Sequence, residues 1–167
     1  MCFRSFFWRL ANSFQQLMIL PSNIRMSLLS IAGLQLHKSA RIASNVFIGS
    51  NQVSLGERAF INIHCFLDGN GPIIIGDFVN IGPYVKLITG THTINDDVIR
   101  LGGISESINL PIEIKRGCWI GAGTIILPGI TIEEGCVVGA GSVVTRSTEP
   151  NGLYIGAPAR RVKNLLV

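Results

Sequence analysis

The chain has no C-x-x-C pair among its four cysteines, Cys2, Cys65, Cys118 and Cys136, which argues against a zinc or redox motif. It has no stretch of about 20 apolar residues, so no membrane span is expected. Arg4 and Arg9 interrupt an apolar N-terminus whose aromatic and polar residues do not read as a signal peptide. Lys and Arg form no dense run and the net charge is only +4, which argues against nucleic-acid binding. A basic cleft for an anionic cofactor accounts for that excess equally well. The expectation is a cytoplasmic enzyme with reduced thiols, free or peripheral to the inner face of the membrane.

What the chain has is apolar bulk and glycine. Of its 167 residues, 47% are hydrophobic, 14% are charged and 19 are glycine. That is one domain with a large core and many tight turns, not a disordered chain.

Stepping by six from Ile114 lands on Ile120, Ile126, Ile132, Val138 and Val144, all β-branched. Gly117, Gly123, Gly129, Gly135 and Gly141 follow the first five at a distance of three. At a distance of four come Cys118, Thr124, Ile130, Cys136, Ser142 and Thr148, mostly small. Earlier sets keep the same period in shifted phase: Leu36, Ile42, Ile48; Leu55, Ile61, Leu67; Ile75, Ile81, Leu87. The phase slips by one residue near Ser54 and by two between Gly69 and Pro72, where turns can absorb them.

A period of six is wrong for an α-helix and too long for a hairpin. It suits short strands wound around a prism, with aliphatics pointing in and glycine at corners that need positive φ. Such coils bury their core only by stacking on one another. The segments Ile120-Gly-Ala-Gly-Thr-Ile and Val138-Gly-Ala-Gly-Ser-Val resemble the hexapeptide-repeat family. That resemblance implies an all-β fold: a left-handed parallel β-helix with three hexapeptides per coil, expected over residues 36–148 in about four coils.

Residues 1–35 lack the repeat. Phe3, Phe6, Phe7, Leu10, Phe14, Leu17 and Met18 share one face of an amphipathic helix that Pro21 should end. A second short helix is expected from an N-cap at Ser22 or Asn23 to a stop at Gly33. The favoured reading is a helical cap on the open coil end; the rival is a membrane-surface contact through residues 3–20. The repeat also breaks after Leu87 and resumes at Ile108, which predicts an ejected loop over about 92–107. Residues 149–167 are expected to pack back as a C-terminal cap.

His92 stands where coil gives way to loop. Histidine suits a base that must deprotonate a hydroxyl near neutral pH, although a lone surface His is common. The run from Ile75-Gly-Asp-Phe-Val-Asn-Ile-Gly-Pro-Tyr-Val through Thr89-Gly-Thr-His92 resembles the catalytic segment of the maltose and galactoside acetyltransferases and their relatives in polysaccharide clusters. The resemblance covers roughly residues 55–163. It implies an acetyl-CoA-dependent sugar O-acetyltransferase in which His92 takes the acceptor's proton.

In Phe60-Ile-Asn-Ile-His-Cys-Phe-Leu-Asp68, Asn62 is similar to the family's acceptor-binding Asn, and His64 replaces a second Asn. A plain polar turn at Asn62 remains an equal alternative, and Asp68 reads as part of the Asp68-Gly-Asn-Gly-Pro turn. Trp119 resembles the tryptophan beside the pantetheine arm. Gly121, Ala122, Gly139 and Ala140 fall on corners where small side chains admit a cofactor. Thr145 and Arg146 match the family's V-T-K, and Arg160 and Lys163 its basic pair, which would hold nucleotide phosphates. For Lys163 a solvated basic tail is a serious rival. The resemblance further implies a homotrimer with active sites between subunits.

Three rivals remain. The acceptor could be a streptogramin-type drug or an amino sugar. A γ-type carbonic anhydrase needs three zinc-binding His; His37, His64 and His92 lie 27 and 28 residues apart, so no metal is expected. A non-catalytic scaffold needs neither His92 nor the loop.

Overall fold

The computed structural model describes residues 2–93 and 107–165, and side chains among them from residue 8 onward. The repeat closes into a three-faced parallel β-helix. The first face stacks Gln35–Leu36, Val53–Leu55, Ile73–Ile75, Ile112–Ile114 and Thr131–Ile132. The second stacks Arg41–Ile42, Phe60–Ile61, Asn80–Ile81, Trp119–Ile120 and Val137–Val138. The third stacks Phe47–Ile48, Phe66–Leu67, Lys86–Leu87, Ile125–Ile126 and Val143–Val144. Each face therefore carries five strands from successive coils, against an expectation of about four coils.

Backbone hydrogen bonds run from coil to coil along each face. Phe60 N donates to Val79 O at 2.9 Å, Asn80 N to Cys118 O at 2.9 Å and Trp119 N to Cys136 O at 2.9 Å. The repeat aliphatics fill the prism: Ile42, Ile61, Ile81, Ile120 and Val138 form one buried column, and Ile48, Leu67, Leu87, Ile126 and Val144 another. Only the terminal coil departs from this, with Leu36 half-buried.

The departures from the period of six share one location. The extra residues before Val53, the turn Asp68–Pro72 and the ejected segment after Leu87 all lie on the edge between the third and first faces. That edge tolerates insertion because chain leaves and re-enters the stack there without breaking a ladder.

The ends are closed differently. Gly152–Gly156 pairs in parallel with Val137–Val138 and extends the second face, and Ala159–Asn164 returns antiparallel along it. At the other end sit α1 (Cys2–Gln15) and α2 (Ser22–Ile31). Their local details differ from the sequence expectation. Ser22 is the first residue of α2 rather than its cap, and Pro21 occupies the cap position with no side-chain hydrogen bond. Gly33, with φ of 109°, turns the chain out of α2, and Leu34 N reaches back to Leu29 O at 3.1 Å.

The orientation of α1 is the larger surprise. Ala11 and Gln15 are buried, whereas Leu10, Phe14, Leu17 and Met18 of the expected apolar face are exposed. The open coil end presents strand carbonyls, and buried carbonyls need donors. Asn12 Nδ2 donates to Ile48 O at 2.6 Å and Gln15 Nε2 to Val46 O at 2.8 Å. The face of α1 that carries Trp8, Ala11, Asn12 and Gln15 therefore docks on the coil, and the side chains of Phe3, Phe6 and Phe7 lie outside the described residues.

Candidate active site

His92 ends the short strand Gly90–His92, which leaves the stack at the edge between the third and first faces. It pairs antiparallel with Ser107–Asn109, placing His92 opposite Ser107. The rest of the expected loop, residues 94–106, lies outside the described residues. Beside this ribbon is an open cavity of about 350 Å³ lined by Asp68, Asn70, Thr91, His92, Ser107 and Asn109. The exposed imidazole stands at its rim, free to meet a hydroxyl from solvent.

Asp68 holds the base of the ribbon. Its Oδ2 accepts hydrogen bonds from Gly90 N at 2.9 Å, Thr89 N at 3.2 Å and Thr89 Oγ1 at 3.3 Å, as well as Asn70 Nδ2 at 2.9 Å. Thr89 Oγ1, itself buried, accepts from Gly71 N at 3.0 Å. The residue read from sequence as a turn former thus fixes the chain two and three residues before His92. The resemblance gave Asp68 no role, because its partners are backbone amides about one coil away.

The other expected residues fall on a different edge. Asn62 and His64 form the corner between the second and third faces, opposite His92 across the third face. Asn62 Oδ1 accepts from Ile63 N at 2.8 Å, the turn role weighed above. His64 has a φ of 59° and stacks on Tyr84 at 5.0 Å between ring centroids. Later coils put Gly123 and Gly141 at this same left-handed corner.

The expected cofactor residues divide as well. Ala122 and Ala140 are exposed on the Asn62 edge, two and three coils further along, and Trp119 is 57% exposed on the adjoining second face. Gly121 does not fit the role of admitting a cofactor. It is buried, its N–H donates to Val138 O at 2.8 Å, and an added Cβ would lie 2.5 Å from Ala140 N. Close stacking of coils requires glycine there. Gly139 is half-buried, its N–H donating to Tyr154 O at 2.8 Å, and an added Cβ there would lie 3.0 Å from the Ile155 side chain. Arg160 and Lys163 are exposed on the returning strand that extends the second face. Thr145 and Arg146 instead follow Val143–Val144 onto the edge that carries His92.

Among the described residues no thiol is exposed to act as a nucleophile. Cys65, Cys118 and Cys136 are free and buried. Burial pushes the Cys65 thiol up to about 11; in the neighbouring Cys118–Cys136 pair, Cys118 is raised by its contact with Cys136 and by burial, while Cys136, hydrogen-bonded to Cys118 and Thr148, is lowered to about 6 but stays fully buried. Among the described residues no group of three or more His, Cys, Asp or Glu could hold a metal ion.

Comparison with known proteins agrees with this architecture. Residues 111–146 match the model of the bacterial transferase hexapeptide (six repeats). Nodulation protein L of Rhizobium meliloti is 45% identical over 108 residues, 65% of this chain and 57% of that protein. The chain thus spans little more than half the length of the curated relatives it matches. A maltose O-acetyltransferase from Clostridium difficile superposes with a TM-score of 0.86 at 30% identity, covering 98% of this chain and 87% of that one. A hexapeptide-repeat acetyltransferase from Vibrio cholerae, complexed with acetyl-CoA, superposes with a TM-score of 0.83 at 34% identity, covering 98% of this chain and 87% of that one. With the six-residue coil, its left-handed relatives and near full-length correspondence to these structures, the chain belongs to the hexapeptide-repeat acetyltransferase family.

Proposed function

We propose that the protein transfers an acetyl group from acetyl-CoA to a sugar or polysaccharide-precursor hydroxyl, with His92 as general base, at sites shared between subunits of a homotrimer. One observation carries this reading. His92, Thr145 and Arg146 lie on one edge of the third face, and Asn62, His64, Ala122 and Ala140 on the other. Neither edge alone holds both a base and a complete set of candidate partners. Packing one copy's His92 edge against a neighbour's Asn62 edge assembles both. The acetyl-CoA bound by the Vibrio relative and the acceptor named for the maltose O-acetyltransferase support the substrates.

In this mechanism the acceptor oxygen attacks the thioester carbonyl directly. The carbon–oxygen bond forms and the carbon–sulfur bond breaks. His92 takes the hydroxyl proton and passes it to the departing CoA thiolate. Burial of Cys65, Cys118 and Cys136 argues against a cysteinyl acyl-enzyme among the described residues. Trp119 would lie along the pantetheine arm, and Arg160 and Lys163 would meet the phosphates. In cells the protein would work in the cytoplasm.

The test follows thiol release from acetyl-CoA with a panel of sugar acceptors. His92→Ala should keep its fold and its acetyl-CoA affinity but lose about 10²–10⁴-fold in kcat. Near-normal turnover by His92→Ala, or a trapped acetyl-cysteine, would defeat this mechanism.

A further inference from the structure

The end of α1 and the turn after it leave several large apolar side chains exposed. A surface helix normally buries its apolar stripe and shows its polar one. In the C-terminal half of α1, Asn12 and Gln15 are committed to the carbonyls of the terminal coil, with Trp8 and Ala11 packed beside them. Leu10, Phe14 and Leu17 are left between 44% and 52% exposed. The following turn adds Met18 at 78% and Ile19 at 89% exposed. These five exposed side chains are clustered within ten residues of sequence.

The charge of this end is one-sided. Residues 1–56 contain Arg4, Arg9, Arg25, Lys38 and Arg41 and not one Asp or Glu; the first acid in the chain is Glu57. The chain's net charge of +4 therefore originates here, the remainder being slightly acidic. Arg25 is buried between the helices, but Arg9, Lys38 and Arg41 are exposed. Next to α2, which packs against α1, an open groove of about 580 Å³ is lined by Ser27, Ser30, Ile31, His37, Lys38 and Arg41. Exposed apolar side chains on an end that carries Arg9 and no acid, with hydroxyls and the cations Lys38 and Arg41 in a neighbouring groove, match an interface where acyl chains meet anionic phosphates.

We propose that this end docks on an anionic lipid bilayer, with α1 lying in the interface plane and its Leu10–Phe14–Leu17 side against the acyl region. A second copy of the chain fits this surface poorly, since end-to-end contact would bring two wholly basic ends together. Among the described residues no helix is long and apolar enough to cross a membrane. Contact from one side is what the geometry allows. Capping and docking use opposite faces of α1, so one helix serves both. The inference stands independently of acetyl transfer.

The experiment uses the full chain and flotation with vesicles. One set is phosphatidylcholine alone; the other contains phosphatidylcholine with phosphatidylglycerol. Wild type should float with the anionic vesicles at least tenfold more than with the neutral ones, and salt should weaken the binding. The variant Phe14→Ser with Leu17→Ser should lose flotation while keeping its circular dichroism spectrum and Tm, since both positions are exposed. Arg9→Glu with Lys38→Glu should lose the preference for anionic lipid. Three results would overturn the proposal. They are no wild-type flotation with anionic vesicles, equal flotation of the Phe14/Leu17 variant, and a drop in oligomer mass for that variant by light scattering. The last would place the cluster between copies of the chain.

Discussion

Asp68 and His92 sit on the same edge and are separated by a whole coil of sequence, yet the carboxylate sets where the imidazole can stand. Three donors from Thr89 and Gly90 converge on one Asp68 oxygen. Asp68→Ala removes that acceptor and frees the start of the ribbon. It should cost about 1.5–3 kcal/mol of stability, as hydrogen bonds to a charged group do. It should also lower kcat while leaving the KM for acetyl-CoA unchanged. Asp68→Asn keeps one accepting oxygen and should recover much of the loss. Equal kcat in Asp68→Ala and wild type would show that the ribbon holds its shape without the carboxylate. Cys65 makes a separate prediction. Its thiol donates to Gly82 O at 3.1 Å, and burial raises its pKa from 9.0 to about 11. The folded value exceeds the unfolded one, so the contribution to stability is whole below about pH 9 and is lost as pH rises toward about 11. A shift of this size corresponds to about 2–3 kcal/mol. Thermal melts at about pH 8 and pH 10.5 should show a larger alkaline drop for wild type than for Cys65→Ala; identical drops would remove Cys65 as a cause.

The coil itself was legible at the level of elements because its rules are local. Each aliphatic, corner and small residue is dictated by its place in a six-residue step, so Ile114 to Val144 could be read without knowing any contact. His92 was singled out by the motif that precedes it, and the structure places it on a ribbon beside an open cavity. The orientation of α1 was not, since periodicity reports which face is apolar and says nothing about what the partner needs. Here the partner is a row of strand carbonyls, and Asn12 and Gln15 answered it. Arg25 was missed for the same reason. Its guanidinium lies buried and donates to Gln15 O at 2.6 Å, Leu17 O at 2.9 Å, Leu20 O at 2.9 Å and, more weakly, Ile42 O at 3.4 Å. One side chain thus pins the end of α1, the interhelical turn and the first coil. Arg25→Met keeps much of the volume and removes every donor. It should lower stability by about 3 kcal/mol, with several buried carbonyls left unpaired. Chymotrypsin should then cleave among the aromatic residues before Phe14 well before it cuts elsewhere. Unchanged melting and unchanged cleavage would mean that the cap holds through Asn12 and Gln15 alone.

At the scale of the whole molecule, the prism keeps apart the residues that the reaction would unite. Asn62 and Ala122 lie on the edge between the second and third faces, while His92 and Arg146 lie across the third face on the next edge. A rigid, ladder-bonded coil cannot fold those edges together. Association of copies around a threefold axis can, because every copy then offers one edge of each kind. This makes complementation the discriminating measurement. One variant carries His92→Ala and keeps an intact Asn62 edge. The other carries Asn62→Ala with Ala122→Trp, which spoils that edge and keeps His92. Each should be inactive alone, and light scattering should show both as trimers. Co-expressed at equal levels and assembled at random, they place an intact edge from each chain at about a quarter of the sites, so about a quarter of wild-type turnover should return. If both edges served within a single chain, no mixture would contain a complete site and activity would stay at zero. Restored turnover in the mixed trimer, with none in either parent, would therefore locate catalysis between subunits without any structure of the complex.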